Sequence, residues 1–313
     1  MYQSFTHDAL RVLIIEDDHE DAKLVSRFLQ QNPTHAVKLE IAESIEQAVQ
    51  LLPNRDFDVA VLDMDLPDGH GIDSLHKIQA VDARLPVVVL TGHDDECLSF
   101  QAIQSGAQDF LCKNHLSGGL LLRALVFAVA RQQKYLGLEA VADMDPLTGL
   151  NNRRFLYKEF PALQRQTELG QSLSMALLDI DYFKSINDLH GHLAGDAVLR
   201  QVASELSRAM ADLGHVVRFG GEEFAIVLTS CPLPEAKEVC SALLSHLASI
   251  SFSIGRKQSI HITASIGATC VWPTDSFESA LSRADAALYA AKRAGRDRVS
   301  TQGPCMEQLA HRQ

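Results

Sequence analysis

The chain has 313 residues, enough for about two domains at roughly 100–200 residues each. Hydrophobic residues make up 46% and charged residues 22%, the composition of an ordinary globular protein that can bury two cores. A net charge of −12 argues against a nucleic-acid surface or an anionic membrane as the main partner, although metals and a few local cations still allow phosphate substrates.

Residues 1–9 read as an N-terminal tail, without the basic region and apolar stretch of a signal peptide. The apolar run Arg11–Ile15 predicts a short buried strand ending at Glu16, Asp17 and Asp18. A helical pattern follows through Ala22, Val25 and Leu29. Further strands are expected near Val37–Ile41, at Phe57–Leu62 ending at Asp63, at Pro86–Leu90 ending at Thr91, and at Asp109–Cys112 ending at Lys113. Five strands alternating with helices imply a parallel, doubly wound sheet. In such sheets the site lies at the carboxyl ends of the strands, where Glu16, Asp17, Asp63, Thr91 and Lys113 would converge. Three carboxylates suit Mg²⁺, and a nearby hydroxyl and ammonium would stabilise an added phosphoryl group.

The segments Ile15–Asp18, Leu62–Gly69, Leu90–Gly92 and Phe110–Lys113 make this half, residues 10–119, resemble a response-regulator receiver domain, an α/β flavodoxin-like fold. The resemblance implies that Asp63 accepts phosphate from a cognate histidine kinase. It also implies that Glu16, Asp17, Asp63 and the carbonyl of Asp65 hold Mg²⁺, and that Thr91, Lys113 and Phe110 form the switch around the phosphoryl group.

From Leu120 to about Ala142 an apolar pattern through Leu121, Leu125, Ala128, Tyr135, Leu138 and Ala142 suits either a last receiver helix or a coiled-coil seam. Residues 120–142 are read as a linking helix shared by both halves and paired with its copy in a homodimer.

Residues 143–302 open with the turn-rich Asp145–Arg154, followed by a helix through Phe155, Phe160 and Leu163. A strand over Leu173–Leu178 ends at Asp179-Ile180-Asp181, and a helix follows through Val198, Val202 and Leu206. Then Arg218–Leu228 reads as a β-hairpin with Gly220-Gly221 at the tip and Glu222-Glu223 just past it. A helix through Ala236–Leu247, a strand over Ile260–Thr269 and a last helix from Phe277 to Ala294 complete an α+β pattern with a mostly antiparallel sheet. Asp179 and Glu222 could meet on neighbouring central strands, where a divalent cation would relieve their repulsion, as in metal-assisted nucleotidyl transfer. Lys184, Lys292 and Arg296 are candidate phosphate clamps, the last two spaced as if one helical turn apart.

The segments Asp145–Arg154, Asp179–Asp196, Arg218–Phe224, Thr263–Thr269 and Ala284–Val299 resemble the GGDEF domain of diguanylate cyclases, whose fold is similar to polymerase palms and nucleotide cyclases. The resemblance implies condensation of two GTP to cyclic di-GMP and two pyrophosphates by a dimer, with Mg²⁺ or Mn²⁺. Asp179, the Ile180 carbonyl, Glu222 and Glu223 would bind metal. Asn187 and Asp196 would read guanine, with His192 helping to hold the nucleotide. Lys184, Lys292 and Arg296 would hold the triphosphate, and Glu222 would take the 3′-hydroxyl proton. Asp297 stands where the family more usually has Asn, and the family's inhibitory Arg-x-x-Asp is absent: its register positions are Ala211 and Gly214, with Arg208 and Asp212 nearby. A degenerate, non-catalytic nucleotide-sensing module is the alternative reading.

Six cysteines without a C-x-x-C pair read as reduced core residues of a cytoplasmic protein. No apolar run approaches the roughly 20 residues of a membrane helix. Residues 303–313 read as a tail.

Overall fold

Continuous apolar runs become the buried central strands of a parallel sheet in the first half of the chain, as a computed structural model shows. The structure describes residues 9–31, 36–92, 96–255 and 258–303, at residues 96 and 97 the backbone alone, so the cysteine readings at Cys97 and Cys305 and nearly all of the two expected tails lie outside what is described. The chain divides into two units, residues 1–139 and 140–313.

In the first unit the elements run β1 Leu10–Ile15, α1 His19–Gln30, β2 Val37–Ala42, α2 Ile45–Leu51, β3 Val59–Asp63, a two-residue hairpin of β4 Asp65–Leu66 and β5 Gly69–His70, α3 Ile72–Val81, β6 Val87–Thr91, α4 Glu96–Gln104, β7 Asp109–Cys112 and α5 Gly118–Ala142. Five strands form one sheet in the order β2-β1-β3-β6-β7, and every pairing is parallel. Alternate strand residues point to opposite faces. Val12 and Ile14 pack with Val25, Leu29, Leu121 and Leu125. Leu13 and Ile15 pack with Ile45, Leu75 and Ile78 on the other face. Each such buried aliphatic side chain contributes about 1.5–3 kcal/mol. The first turns of α5 thus belong to this core, while Tyr135 and Leu138 further along stand more than half exposed.

In the second unit follow β8 Asn151–Asn152, α6 Arg153–Glu168, β9 Leu173–Ile180, α7 Phe183–His190, α8 His192–Ala209, β10 Gly214–Gly220, β11 Glu223–Thr229, α9 Leu233–Ser249, β12 Phe252–Gly255, β13 Gln258–Ile260, β14 Ala264–Val271, α10 Phe277–Arg293 and β15 Val299–Gln302. The six-stranded sheet has the order β15-β14-β9-β11-β10-β8. Its three central pairings are antiparallel, and only the edge strands β15 and β8 pair parallel. One face packs on α8 and α9 through Val198, Val202, Leu243 and Leu247. The other packs on α6 and α10 through Phe160, Phe277, Ala284 and Leu288.

The strand predicted over Ile260–Thr269 is not continuous. Ile260 ends a small hairpin with β12, residues 261–263 leave the ladder, and β14 begins at Ala264. The Asp181 N–H still donates to the Thr263 carbonyl at 2.9 Å, one position beyond the Ala264–Ile180 pair that opens the ladder of β14 with β9. The last helix is one residue shorter than expected and ends at Arg293, ahead of Gly295 at φ 112°.

Candidate functional site

The first site lies where β1, β3, β6 and β7 end. Glu16 and Asp63 are buried there, 2% and 5% exposed, and Thr91 is buried with them. Ligand-capable oxygens of Glu16, Asp17 and Asp63 lie within 4.8 Å of one another. Asp18, the third acid of the run, is committed elsewhere: it caps α1, accepting from the N–H groups of Glu20 and Asp21 at 2.8 and 3.1 Å. Lys113 reaches into the cluster, with Nζ 2.7 Å from Glu16 Oε2 and 3.3 Å from Asp63 Oδ2. Burial pushes the Glu16 carboxyl up to about 7, aided by the charge of Asp63 and opposed by Lys113. Burial lowers Lys113, but its bonds to Asp21 and Glu16 win and raise it. Sequence reasoning missed Asp21, whose Oδ2 accepts from Lys113 at 2.7 Å; it lies inside a helical pattern, and only the fold brings it to the sheet edge. Asp65 sits in β4 opposite His70, and Phe110, within β7, packs half-buried against the core. This donor set, hard carboxylate oxygens around one ammonium, fits a divalent cation.

The second site lies on the central strands β9 and β11. Glu223 stands opposite Asp179 in the ladder, and the Ile180 N–H donates to the Glu222 carbonyl at 3.4 Å. The signature hairpin therefore brings Glu222 and Glu223 to the end of β9, as its sequence predicts. Its tip is open: an added Cβ at Gly220 or Gly221 would meet nothing within 4 Å, and Gly221 takes φ 46°. Arg218 fixes the turn, donating to the Gly221 carbonyl at 2.8 and 3.0 Å and to Asp145 at 3.0 Å. Burial raises the Asp179 carboxyl, with Glu222 and Asp181 adding to the shift and Lys292 opposing it. Burial also raises Glu223, as do Asp179 and Glu222. The three carboxylates repel one another, and Lys292 Nζ, 2.7 Å from Asp179 Oδ2, offsets part of that charge. Close approach of α10 to β14 puts Lys292 there. A Cβ on Gly267 would lie 2.0 Å from the Leu288 nitrogen, so only glycine admits the helix. Carboxylate oxygens suit a divalent cation, but among the described residues only Glu16, Asp17 and Asp63 bring three ligand atoms within 4.8 Å of one another.

Asn187 lies on α7 and Asp196 on α8 just past its first turn, with Gly195 of α8 facing α7. A Cβ at Gly195 would meet Asn187 Oδ1 at 2.0 Å, so the carboxamide rests on the glycine beside Asp196. Lys184 and His192 are exposed at the starts of α7 and α8.

One expectation needs correction. Arg296 does not share a helical face with Lys292, because α10 has already ended and Arg296 sits in a left-handed turn at φ 64°. Its guanidinium lies 4.6 Å over the Tyr182 ring. Asp181, two residues from Asp179, has its carboxylate occupied by Thr263, Ser265 and the Asp297 N–H. At the inhibitory-motif positions, Ala211 is exposed and a Cβ on Gly214 would meet the Val227 carbonyl at 1.9 Å, while Arg208 pairs with Glu205 at 2.9 Å. Among the described cysteines, Cys112, Cys231, Cys240 and Cys270 are free thiols. Among the described residues no helix is long and apolar enough to cross a membrane.

Fold and sites together define a receiver-type α/β unit followed by an α+β unit of the GGDEF type. Residues 12–124 match the response regulator receiver domain, and residues 142–298, half of the chain, match the family described as diguanylate cyclase, GGDEF domain. The chain belongs to that GGDEF family and carries a receiver domain ahead of it. Diguanylate cyclase DgcP of Pseudomonas aeruginosa is 42% identical over 156 residues, which is 50% of this chain and 23% of that protein. Response regulator PleD of Caulobacter vibrioides is 28% identical over 303 residues, which is 92% of this chain and 65% of that protein. The chain thus spans less than two thirds of the length of either relative. A crystal structure of the coiled coil and GGDEF domain of DgcB from Caulobacter crescentus, in complex with c-di-GMP, superposes with a TM-score of 0.53 at 33% identity, covering 59% of this chain and 98% of that one.

Proposed function

We propose that the chain is a diguanylate cyclase under control of its receiver, condensing two GTP to cyclic di-GMP with release of two pyrophosphates. The observation that carries this reading is the ladder register that sets Glu223 opposite Asp179 with Glu222 at the hairpin tip and Lys292 within 2.7 Å of Asp179. In each half-reaction the 3′-oxygen of one GTP attacks the α-phosphorus of the other, the bond from that phosphorus to the pyrophosphate oxygen breaks, and Glu222 takes the hydroxyl proton. Asn187 and Asp196 offer the acceptor and donor atoms that guanine N1–H, N2 amine and O6 require. Lys184, Lys292 and Arg296 hold the triphosphate by charge-assisted bonds, with His192 beside it. Asp179, Glu222, Glu223 and the Ile180 carbonyl would hold Mg²⁺ or Mn²⁺, which when bound offsets charge on the reacting phosphates.

In the receiver, Asp63 accepts a phosphoryl group from a histidine kinase; Glu16, Asp17, Asp63 and the Asp65 carbonyl would hold Mg²⁺, which when bound would offset the phosphoryl charge. Thr91, Lys113 and Phe110 respond to the new charge. The domain division of the sequence reading, with residues 10–119 as receiver and 143–302 as cyclase joined by residues 120–142, serves this scheme. Each cyclase domain binds one GTP, so a homodimer supplies the complete site. The exposed Tyr135, Leu138 and Val141 of α5 support pairing through that helix. Purified protein given GTP and Mg²⁺, with and without beryllofluoride, tests the reading by chromatography of the product. Cyclic di-GMP, formed faster with beryllofluoride, is expected; unchanged GTP under both conditions contradicts it.

A further inference from the structure

Asp181 directly follows the metal-site residues Asp179 and Ile180, yet its side chain faces a different task. It is buried, 4% exposed, and both carboxylate oxygens are engaged. Oδ1 accepts from the Ser265 hydroxyl at 2.8 Å. Oδ2 accepts from the Thr263 hydroxyl at 2.8 Å and from the backbone N–H of Asp297 at 3.1 Å. Its own N–H is held by the Thr263 carbonyl at 2.9 Å. Arg296 Nε stands 3.9 Å from Oδ1.

What Asp181 grips is an unfavourable turn. Gly295, Arg296 and Asp297 have φ of 112°, 64° and 47°, so two successive residues with side chains sit in the left-handed region. That conformation is disfavoured for any residue but glycine and persists only where surroundings impose it. Gly295 suffices to stop α10; the two residues beyond it need a separate anchor. The Asp297 N–H bonded to Asp181 is that anchor, and it leaves the Arg296 guanidinium lying over Tyr182, itself left-handed at φ 56°.

We propose that Asp181 is a positioning residue for the triphosphate: it locks the turn Gly295–Asp297 and so aims Arg296, and it takes no part in holding metal. The inference rests on the nucleotide-site reading above. It also accounts for Asp297 in place of the more usual Asn, since Asp and Asn are the side chains best tolerated in the left-handed region.

The test uses the full chain and equilibrium binding of α,β-methylene GTP, which cannot turn over because the bond that must break is replaced, beside binding of guanosine, which has no phosphate. Arg296→Ala and Asp181→Ala are each expected to weaken the methylene analogue about tenfold, the loss of one charge-assisted contact. Guanosine binding should change less than twofold. The double variant should be no worse than either single one, because Asp181 acts through Arg296. Adding Asp297→Gly to Asp181→Ala should recover most of the loss, since glycine enters the turn freely. Losses that add in the double variant, an unweakened Asp181→Ala, or equal losses for guanosine would overturn the inference. Should Asp181→Ala fail to fold, Thr263→Val with Ser265→Ala removes two of the three donors that hold its carboxylate against the turn, and the same outcomes apply. A wild-type chain that binds guanosine analogues not at all would overturn the nucleotide-site reading itself.

Discussion

Gly195→Ala separates helix stability from nucleotide recognition. Gly195 lies in the first turn of α8, where alanine by itself favours the helix by up to about 1 kcal/mol. The added Cβ would nevertheless lie 2.0 Å from Asn187 Oδ1 and 3.0 Å from Phe183 Cζ. Ordinary contact begins near 3.4 Å, so the carboxamide must retreat by more than an ångström. A hydrogen bond to the base does not survive such a shift. Loss of one or two neutral bonds costs about 1–2 kcal/mol, a fall in GTP affinity of roughly tenfold. The expected result is a KM for GTP raised about tenfold, a reduced preference for GTP over ITP, and a melting temperature that holds or rises. Steady-state kinetics with both nucleotides and a thermal melt measure all three. An unchanged KM and an unchanged preference in a folded variant would refute the placement of Asn187 as a guanine reader.

Asp63→Asn is expected to leave basal turnover intact and to abolish stimulation by acetyl phosphate, because an amide cannot form the acyl phosphate; a rate comparison with and without the donor checks it. Asp275→Asn should destabilise the cyclase unit by about 3 kcal/mol, since it breaks a buried pair with Arg283. Burial tends to raise the Asp275 carboxyl, but Arg283, the Trp272 N–H and the Ser279 hydroxyl hold it below the usual range. Its stabilisation is therefore complete above an ordinary Asp value of about 4 and is lost as pH falls further. Wild type and variant should differ above about pH 4 and approach each other in denaturant melts only as pH falls through the lower folded-state value. Added micromolar cyclic di-GMP should not inhibit the activated enzyme, because Ala211 and Gly214 supply neither cation nor carboxylate; tight inhibition that disappears in Arg208→Ala would show a substitute site.

Most of this architecture is legible in the chain because local pattern and tertiary environment agree. The central receiver strands β3 and β6 are continuous apolar runs buried on both faces, and all five strands end within two residues of their expected positions. The Gly-Gly-Glu-Glu hairpin likewise carries its turn and its strand formers side by side. Elements held by tertiary pairing alone were not legible. The four residues of β15 and the two of β8 are too short for a period and exist because an edge of the sheet accepts them. The contacts of Asp181 with the Thr263 hydroxyl and carbonyl span 82 positions of sequence, so no local pattern announces them. Helical spacing misled at Arg296, since α10 ends at Arg293 ahead of Gly295 and the left-handed turn redirects the side chain. Asp21 escaped notice for the same reason as Asp181: its partner, Lys113, lies 92 residues away.

The central claim is that the Asp179–Glu222–Glu223 cluster turns GTP over. The most direct measurement compares the initial rate of cyclic di-GMP formation by wild type and Glu222→Gln at saturating GTP and Mg²⁺, with circular dichroism to confirm equal folding. The amide keeps the side chain's shape but neither accepts the 3′-hydroxyl proton nor holds a cation well, so the rate should fall by about 10²–10⁴. A Glu222→Gln variant that makes cyclic di-GMP at a near-normal rate would contradict the account.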